Sequence, residues 1–143
     1  MSDAQCSESW SSAELSNRMV QALNMKADAL FEKGAYNESY VEYYNAKTLA
    51  RETVDNCSLS KYTHSLGMAL YKQERYLDAA HLFQESYNES NECKDMFIFF
   101  YHKQELLDNI GLCYYKAGKY DSALRYYERA LNFIDSNYLR FGK

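Results

Sequence analysis

Apolar residues recur at helical spacing along most of this chain, in runs divided by short polar turns. Leu15, Met19, Leu23, Ala27 and Leu30 keep to one face as far as Gly34, whose tolerance of positive φ suits a helix end and a turn. Tyr36, Tyr40, Tyr43, Ala46 and Ala50 form a second stripe, which with no proline to stop it is expected to run on toward Asp55. A third carries Tyr62, Leu66, Ala69 and Leu70, with Ser58 as its expected cap, and a fourth carries Tyr76, Ala79, Ala80, Phe83 and Tyr87. A fifth helix ends near Gly118, and a sixth runs from Asp121, a good N-cap, to about Ile134. Ser11 and Glu14 make a capping box, and Trp10 is placed to reach Leu15 as a hydrophobic staple, so the first helix is expected to begin near Ser12.

The segment Met96 to Tyr101 is six apolar residues in a row and, taken alone, reads equally as a buried strand. Helical spacing resumes at Leu106, Leu107, Ile110 and Tyr114 with no turn residue between, and a solitary strand would have no partner. The reading is one long fifth helix, whose surplus aromatic surface a neighbouring helix or another molecule must cover. Phe97, Phe100 and Tyr101 are the candidate self-association surface.

A longer-range pattern lies over the helical one. Leu66-Gly67, Leu70, Tyr76, Ala79, Phe83, Ser86 is echoed by Ile110-Gly111, Tyr114, Gly118, Tyr120, Ala123, Tyr127, Ala130, and more loosely by Leu23, Ala27, Leu30, Gly34, Tyr36, Ser39, Tyr43, Ala46. The chain is therefore expected to be a row of like units rather than one centre wrapped by helices.

The order of large apolar residue, Gly, aromatic, turn, Tyr, Ala, aromatic and small residue resembles the tetratricopeptide repeat, over residues 20 to 135. The resemblance implies an all-α fold, a right-handed superhelical stack of antiparallel helix pairs with about six helices. Its three repeats would cover residues 12–56, 57–92 and 93–135, with a polar lead over 1–11. Tyr138, Leu139 and Phe141 in the tail 136–143 look like the start of a further helix. An uncapped last repeat would then either continue in a longer chain or pair with another copy. Small residues at Gly67 and Gly111, with Ala79 and Ala123 opposite, would let the helices of a unit approach closely, while Phe83 and Tyr127 fill the space between units. Repeats of this family run to about 34 residues, whereas Gly67 and Gly111 lie 44 apart and Ala27 and Gly67 lie 40 apart. Longer helices are the expected consequence.

Composition removes several functions. The 143 residues carry a net charge of -4, and their cations are scattered singly, so neither nucleic acid nor an anionic membrane is an expected partner. No apolar run approaches the roughly 20 residues of a membrane span, and Met1 to Trp10 lacks a signal pattern, so a cytoplasmic location is expected unless a targeting segment has been removed. Cys6, Cys57, Cys93 and Cys113 are far apart with no CxxC, which reads as buried or incidental thiols in a reducing compartment and no metal site. His64, His81 and His102 have no partner at catalytic or metal-ligand spacing, and no phosphate loop is present. No enzyme activity and no cofactor are expected.

What the resemblance implies instead is a protein or peptide partner, held on the concave face built by the first helix of each repeat. Carried over by position, that face comprises Asn24, Asp28 and Phe31, then His64, Met68 and Tyr71, then Asp108, Leu112 and Tyr115, with Lys72 and Lys116 nearby. Phe31, Tyr71 and Tyr115 fall at equivalent positions, either as an aromatic ladder for a ligand or as packing between helices. His64 could serve a pH-sensitive contact or be an ordinary hydrogen-bonded histidine. Asp28 and Glu105 would repel the carboxylate tails that chaperone-binding members of the family hold. The expectation is an interaction module, an adaptor or the binding segment of a longer protein; the alternative is a self-associating, dimeric segment of a bacterial signalling regulator.

Overall fold

Three short turns, each closed the same way, set the architecture. In the computed structural model, which describes residues 11–51, 56–93 and 96–141, the side chains of 56, 96–99 and 137–141 excepted, the helices are α1 (Ser12–Glu32), α2 (Tyr36–Ala50), α3 (Asn56–Lys72), α4 (Tyr76–Ser90), α5 (Met96–Lys116) and α6 (Tyr120–Phe141). No strand occurs among the described residues. Between α1 and α2, the Gly34 amide donates to the Phe31 carbonyl and the Ala35 amide to that of Leu30. Glu74 and Arg75 repeat this with Tyr71 and Leu70, as do Gly118 and Lys119 with Tyr115 and Tyr114. Such paired bonds satisfy the last carbonyls of a helix around one left-handed residue and fold the next helix back antiparallel. Gly34 and Gly118 take that residue's positive φ at no steric cost, but the middle turn places Glu74 there, at φ 62°, against the preference of a residue with a Cβ.

The N-terminus of α1 is capped as its sequence predicts, with Ser11 Oγ accepting from the Glu14 amide at 3.2 Å; Trp10 lies outside the described residues. Other helix ends depart from expectation. α2 stops at Ala50, with Arg51 as its C-cap, and Asp55 lies outside the described residues. α3 begins at Asn56, so Ser58 stands inside its first turn and does not cap it. α6 does not stop near Ile134: residues 136–141 are its last turns and start no new helix, since no glycine or proline intervenes between Gly118 and Gly142. The aromatic segment from Met96 is the first turn of α5, as its resumed periodicity predicts.

Within the second and third pairs one contact recurs. A Cβ built on Gly67 would stand 2.6 Å from Phe83 Cε1, and one on Gly111 would stand 2.6 Å from Tyr127 Cε1, so in both units an aromatic ring rests directly on a glycine. In repeat one Ala27 and Tyr43 share a cluster with Leu66 of the next unit. Phe83 also touches the following unit, in a cluster with Leu106, Ile110 and Cys113 of α5. Each unit thus completes the core of its neighbour. A buried ion pair adds to this: the Lys47 ammonium of α2, sealed from solvent, lies 3.0 Å from Glu85 and 3.4 Å from Glu89 of α4.

Two expectations are overturned by the stack. Cys57 and Cys93 are joined in a disulfide, because the antiparallel α3–α4 hairpin brings its two open ends together with Cα atoms 4.9 Å apart. Their 36-residue separation hides this in the sequence. Cys113 is the free thiol among the described residues, and burial pushes its pKa up to about 12. Phe100 is no association surface either, since it is buried and its ring stacks on Phe133 of α6 at 5.4 Å. Tyr101 beside it is exposed; the Phe97 side chain lies outside the described residues.

Candidate functional site

α3 and α5 run side by side, and the residues one turn apart on their facing edges meet. Met68 and Tyr71 of α3 and Asn109 and Leu112 of α5 line a cleft of about 50 Å³, with Phe83 as its floor. Three of these, Met68, Tyr71 and Leu112, are residues the sequence places on the concave face. The cleft is apolar except for the Asn109 amide. It is room for about one or two water-sized groups, hence for one small side chain.

Beneath it lies a polar seam that the sequence does not announce. Ser60 Oγ donates to the Ser86 carbonyl at 2.8 Å and Ser86 Oγ to the Ser60 carbonyl at 2.7 Å, so α3 and α4 exchange bonds through two fully buried serines. The two hydroxyl oxygens also lie 2.9 Å apart. His102 Nε2 lies 2.7 Å from Ser60 Oγ and 3.3 Å from Ser86 Oγ, so the ring joins the seam from α5. A serine so buried is out of reach of a substrate despite its histidine. His64 stands next in line, its ring 5.7 Å from that of His102 and 5.4 Å from Phe83. Its Nε2 lies 3.2 Å from the Asn109 amide nitrogen and 3.3 Å from Glu105 Oε1. Burial holds both imidazoles neutral, with pKa values lowered to about 4, and the charge of one ring would add to the cost of charging the other. The Glu105 carboxylate, more than half exposed, is screened by water and does not reverse this. His64 is thus a structural support behind the cleft.

The remaining predicted residues divide by unit. In repeat one Asp28 is exposed but accepts the Tyr43 hydroxyl bond, which ties it to its own hairpin, and burial together with that carboxylate raises the Tyr43 pKa. Asn24 is half-buried. Asp108 is exposed and accepts from Gln104 one turn earlier, while Lys72 and Lys116 are both exposed. The aromatic ladder has a job inside each unit. Phe31 meets Tyr36 edge to face at 5.2 Å, Tyr71 meets Tyr76 at 5.3 Å, and Tyr115 meets Tyr120 at 5.7 Å. The same ring pair closes each turn, which accounts for the equivalence of these positions without a ligand. Sequence reasoning missed Ser60 and His102; the single hint was the small residue Ser86 where its neighbours have alanine.

The tetratricopeptide repeat family profile matches residues 104–137, the last helical turns of α5 and most of α6. That segment is similar to a tetratricopeptide repeat. Its fold is similar to the crystal structure of the tetratricopeptide-repeat domain of Arabidopsis FLU, with a TM-score of 0.71 over 85% of this chain and 98% of that one, at 18% sequence identity. No curated protein matches the chain. The profile falls on the repeat whose pattern is clearest in the sequence; repeats one and two share its turn, and repeat two also its ring-on-glycine contact. The fold is one that serves generally as a protein–protein interaction module.

Proposed function

We propose that this protein binds a peptide or helix of another protein along the face formed by α3 and α5, with a small apolar side chain seated in the cleft of Met68, Tyr71, Asn109 and Leu112. The observation that carries this reading is the cleft itself, an apolar recess with one amide group at its wall, where a backbone can be both packed and hydrogen-bonded. Lys72, Lys116 and Asp108, all exposed on α3 and α5, offer charges of both signs that would orient a ligand rather than attract one charge sign.

The ring pairs at the turns decide which substitution is informative. Replacing Tyr71 or Tyr115 would loosen the turn it closes, so the clean variant is Leu112→Glu, which places a charge in the recess from a half-exposed position. Peptides selected from a displayed library against the protein are expected to lose binding at least tenfold to Leu112→Glu, with helical circular dichroism unchanged. Peptides that bind the variant as well as the parent would place the ligand elsewhere.

A further inference from the structure

Repeats two and three correspond position for position at a separation of 44 residues, and the correspondence exposes a difference. In α4 the stripe Tyr76, Ala80, Phe83 and Tyr87 is covered by α5, leaving Ala80 1% and Phe83 0% exposed against Leu106, Ile110 and Cys113. The matching stripe of α6 is Tyr120, Leu124, Tyr127 and Leu131, continued by Ile134 at spacings of four and three. Among the described residues nothing covers it: Tyr120 is 61%, Leu124 59%, Leu131 66% and Ile134 36% exposed.

The border of the stripe has changed as well. Beside it in repeat two stand Gln84 and Asn91, both uncharged; Gln84 donates to the hydroxyls of Tyr126 and Tyr114, and Asn91 accepts from the Lys103 ammonium of α5. The corresponding residues of α6 are Glu128 and Asp135, and with Asp121 they form an exposed acidic row at every seventh residue. None of the three makes an ion pair among the described residues.

We propose that this open face of repeat three docks an amphipathic helix of a partner protein whose apolar stripe is bordered by Lys or Arg. The α5 helix is the template, because it covers the same stripe one repeat earlier. It presents apolar residues at i, i+4 and i+7 (Leu106, Ile110, Cys113), a cation at i−3 (Lys103, against Asn91) and a polar ring at i+8 (Tyr114, against Gln84). A helix with the same apolar spacing and cations at both i−3 and i+8 would set them against Asp135 and Glu128, where opposite charges orient the docked helix. A second copy is the poorer occupant. Pairing α6 antiparallel on α6, about a two-fold axis perpendicular to the helices, brings each edge against its own image, so Asp121, Glu128 and Asp135 would face like charges. This face is separate from the α3–α5 cleft, and the inference stands whether or not that cleft binds a peptide.

The probe is a fluorescein-labelled synthetic helix with Leu at i, i+4 and i+7, Lys at i−3 and i+8, and Ala or Gln elsewhere, titrated with the full chain by anisotropy at constant salt. Binding is expected, at least tenfold weaker to the Glu128→Lys, Asp135→Lys double variant and to Leu131→Glu, and unchanged for Leu112→Glu. A peptide with Glu in place of both Lys is expected to prefer the double variant, the reversal a structural defect would not produce. Equal binding of the Lys and Glu peptides to the parent protein would overturn the proposal. So would a dimer in light scattering that Leu131→Glu dissociates, since a second copy would then own the face.

Discussion

In repeat two Phe83 rests on Gly67 with α5 closing over its outer side; in repeat three Tyr127 rests on Gly111 in the same geometry, but the outer side of α6 is open. Repeat two is also bound at its open end by the Cys57–Cys93 disulfide and, about a turn further in, by the Ser60, Ser86 and His102 bonds, neither of which has a counterpart described in repeat three. The fold of a repeat and its permanence are therefore separable. Local spacing makes the hairpin, and what lies on either side of it decides how firmly it is held and what it can still bind.

The largest test of that contrast is removal of the clasp. Cys57→Ser with Cys93→Ser, or reduction of the parent, is expected to lower stability by about 4 kcal/mol, the chain-entropy value for a closed loop of this length, and the unfolding midpoint by roughly 10 °C. An unchanged midpoint in differential scanning calorimetry, with and without reductant, would mean that packing alone holds repeat two. Next in size is a matched pair of substitutions. Gly67→Ala forces its new methyl into a ring packed on both sides and is expected to cost about 2–3 kcal/mol, whereas Gly111→Ala meets a ring with room to move and should cost about 1 kcal/mol. Urea unfolding of the two variants measures the difference, and equal costs would show that the open face gives Tyr127 no freedom.

The smallest effect is on pH. His64 and His102 titrate near 6.5 in the unfolded chain but only near 4 when folded, so between those values the unfolded state binds more protons. Their contribution to stability is whole above pH 6.5 and is lost as the pH falls toward 4. A drop of about 1–2 kcal/mol between pH 7 and 5 is expected once partial exposure is discounted. His102→Gln keeps a hydrogen-bonding group toward Ser60 and removes one titrating ring, so its pH profile should be flatter; a profile as steep as the parent's would assign the drop to other groups.

Much of this was legible before any coordinates. The helical stripes located the six helices of the described residues, the Ser11 and Glu14 pair located the first cap, and the recurrence of glycine and aromatic residues anticipated the ring-on-glycine contacts of α3–α4 and α5–α6. Met68, Tyr71 and Leu112, which the family resemblance placed on one face, do line one cleft, because equivalent positions in like units fall on the same side of the stack. The purpose of the Phe31, Tyr71 and Tyr115 ladder did not follow, since a ring at a given register can face a ligand or its own turn equally well.

Periodicity is information about one helix, carried by neighbours three and four residues apart, and to that extent the chain determined its own secondary structure and repeat register. Contacts between helices depend on how far each helix runs and on which faces meet after the turns have closed. Those lengths and crossings joined Cys57 to Cys93, buried Phe100 against Phe133, placed His102 on Ser60 and left the α6 stripe uncovered. Residues 33 and 36 positions apart came together only because antiparallel helices ended at the same level, and Ser60 met His102, 42 positions on, only because α5 packs beside α3, facts of three-dimensional packing that no local spacing records.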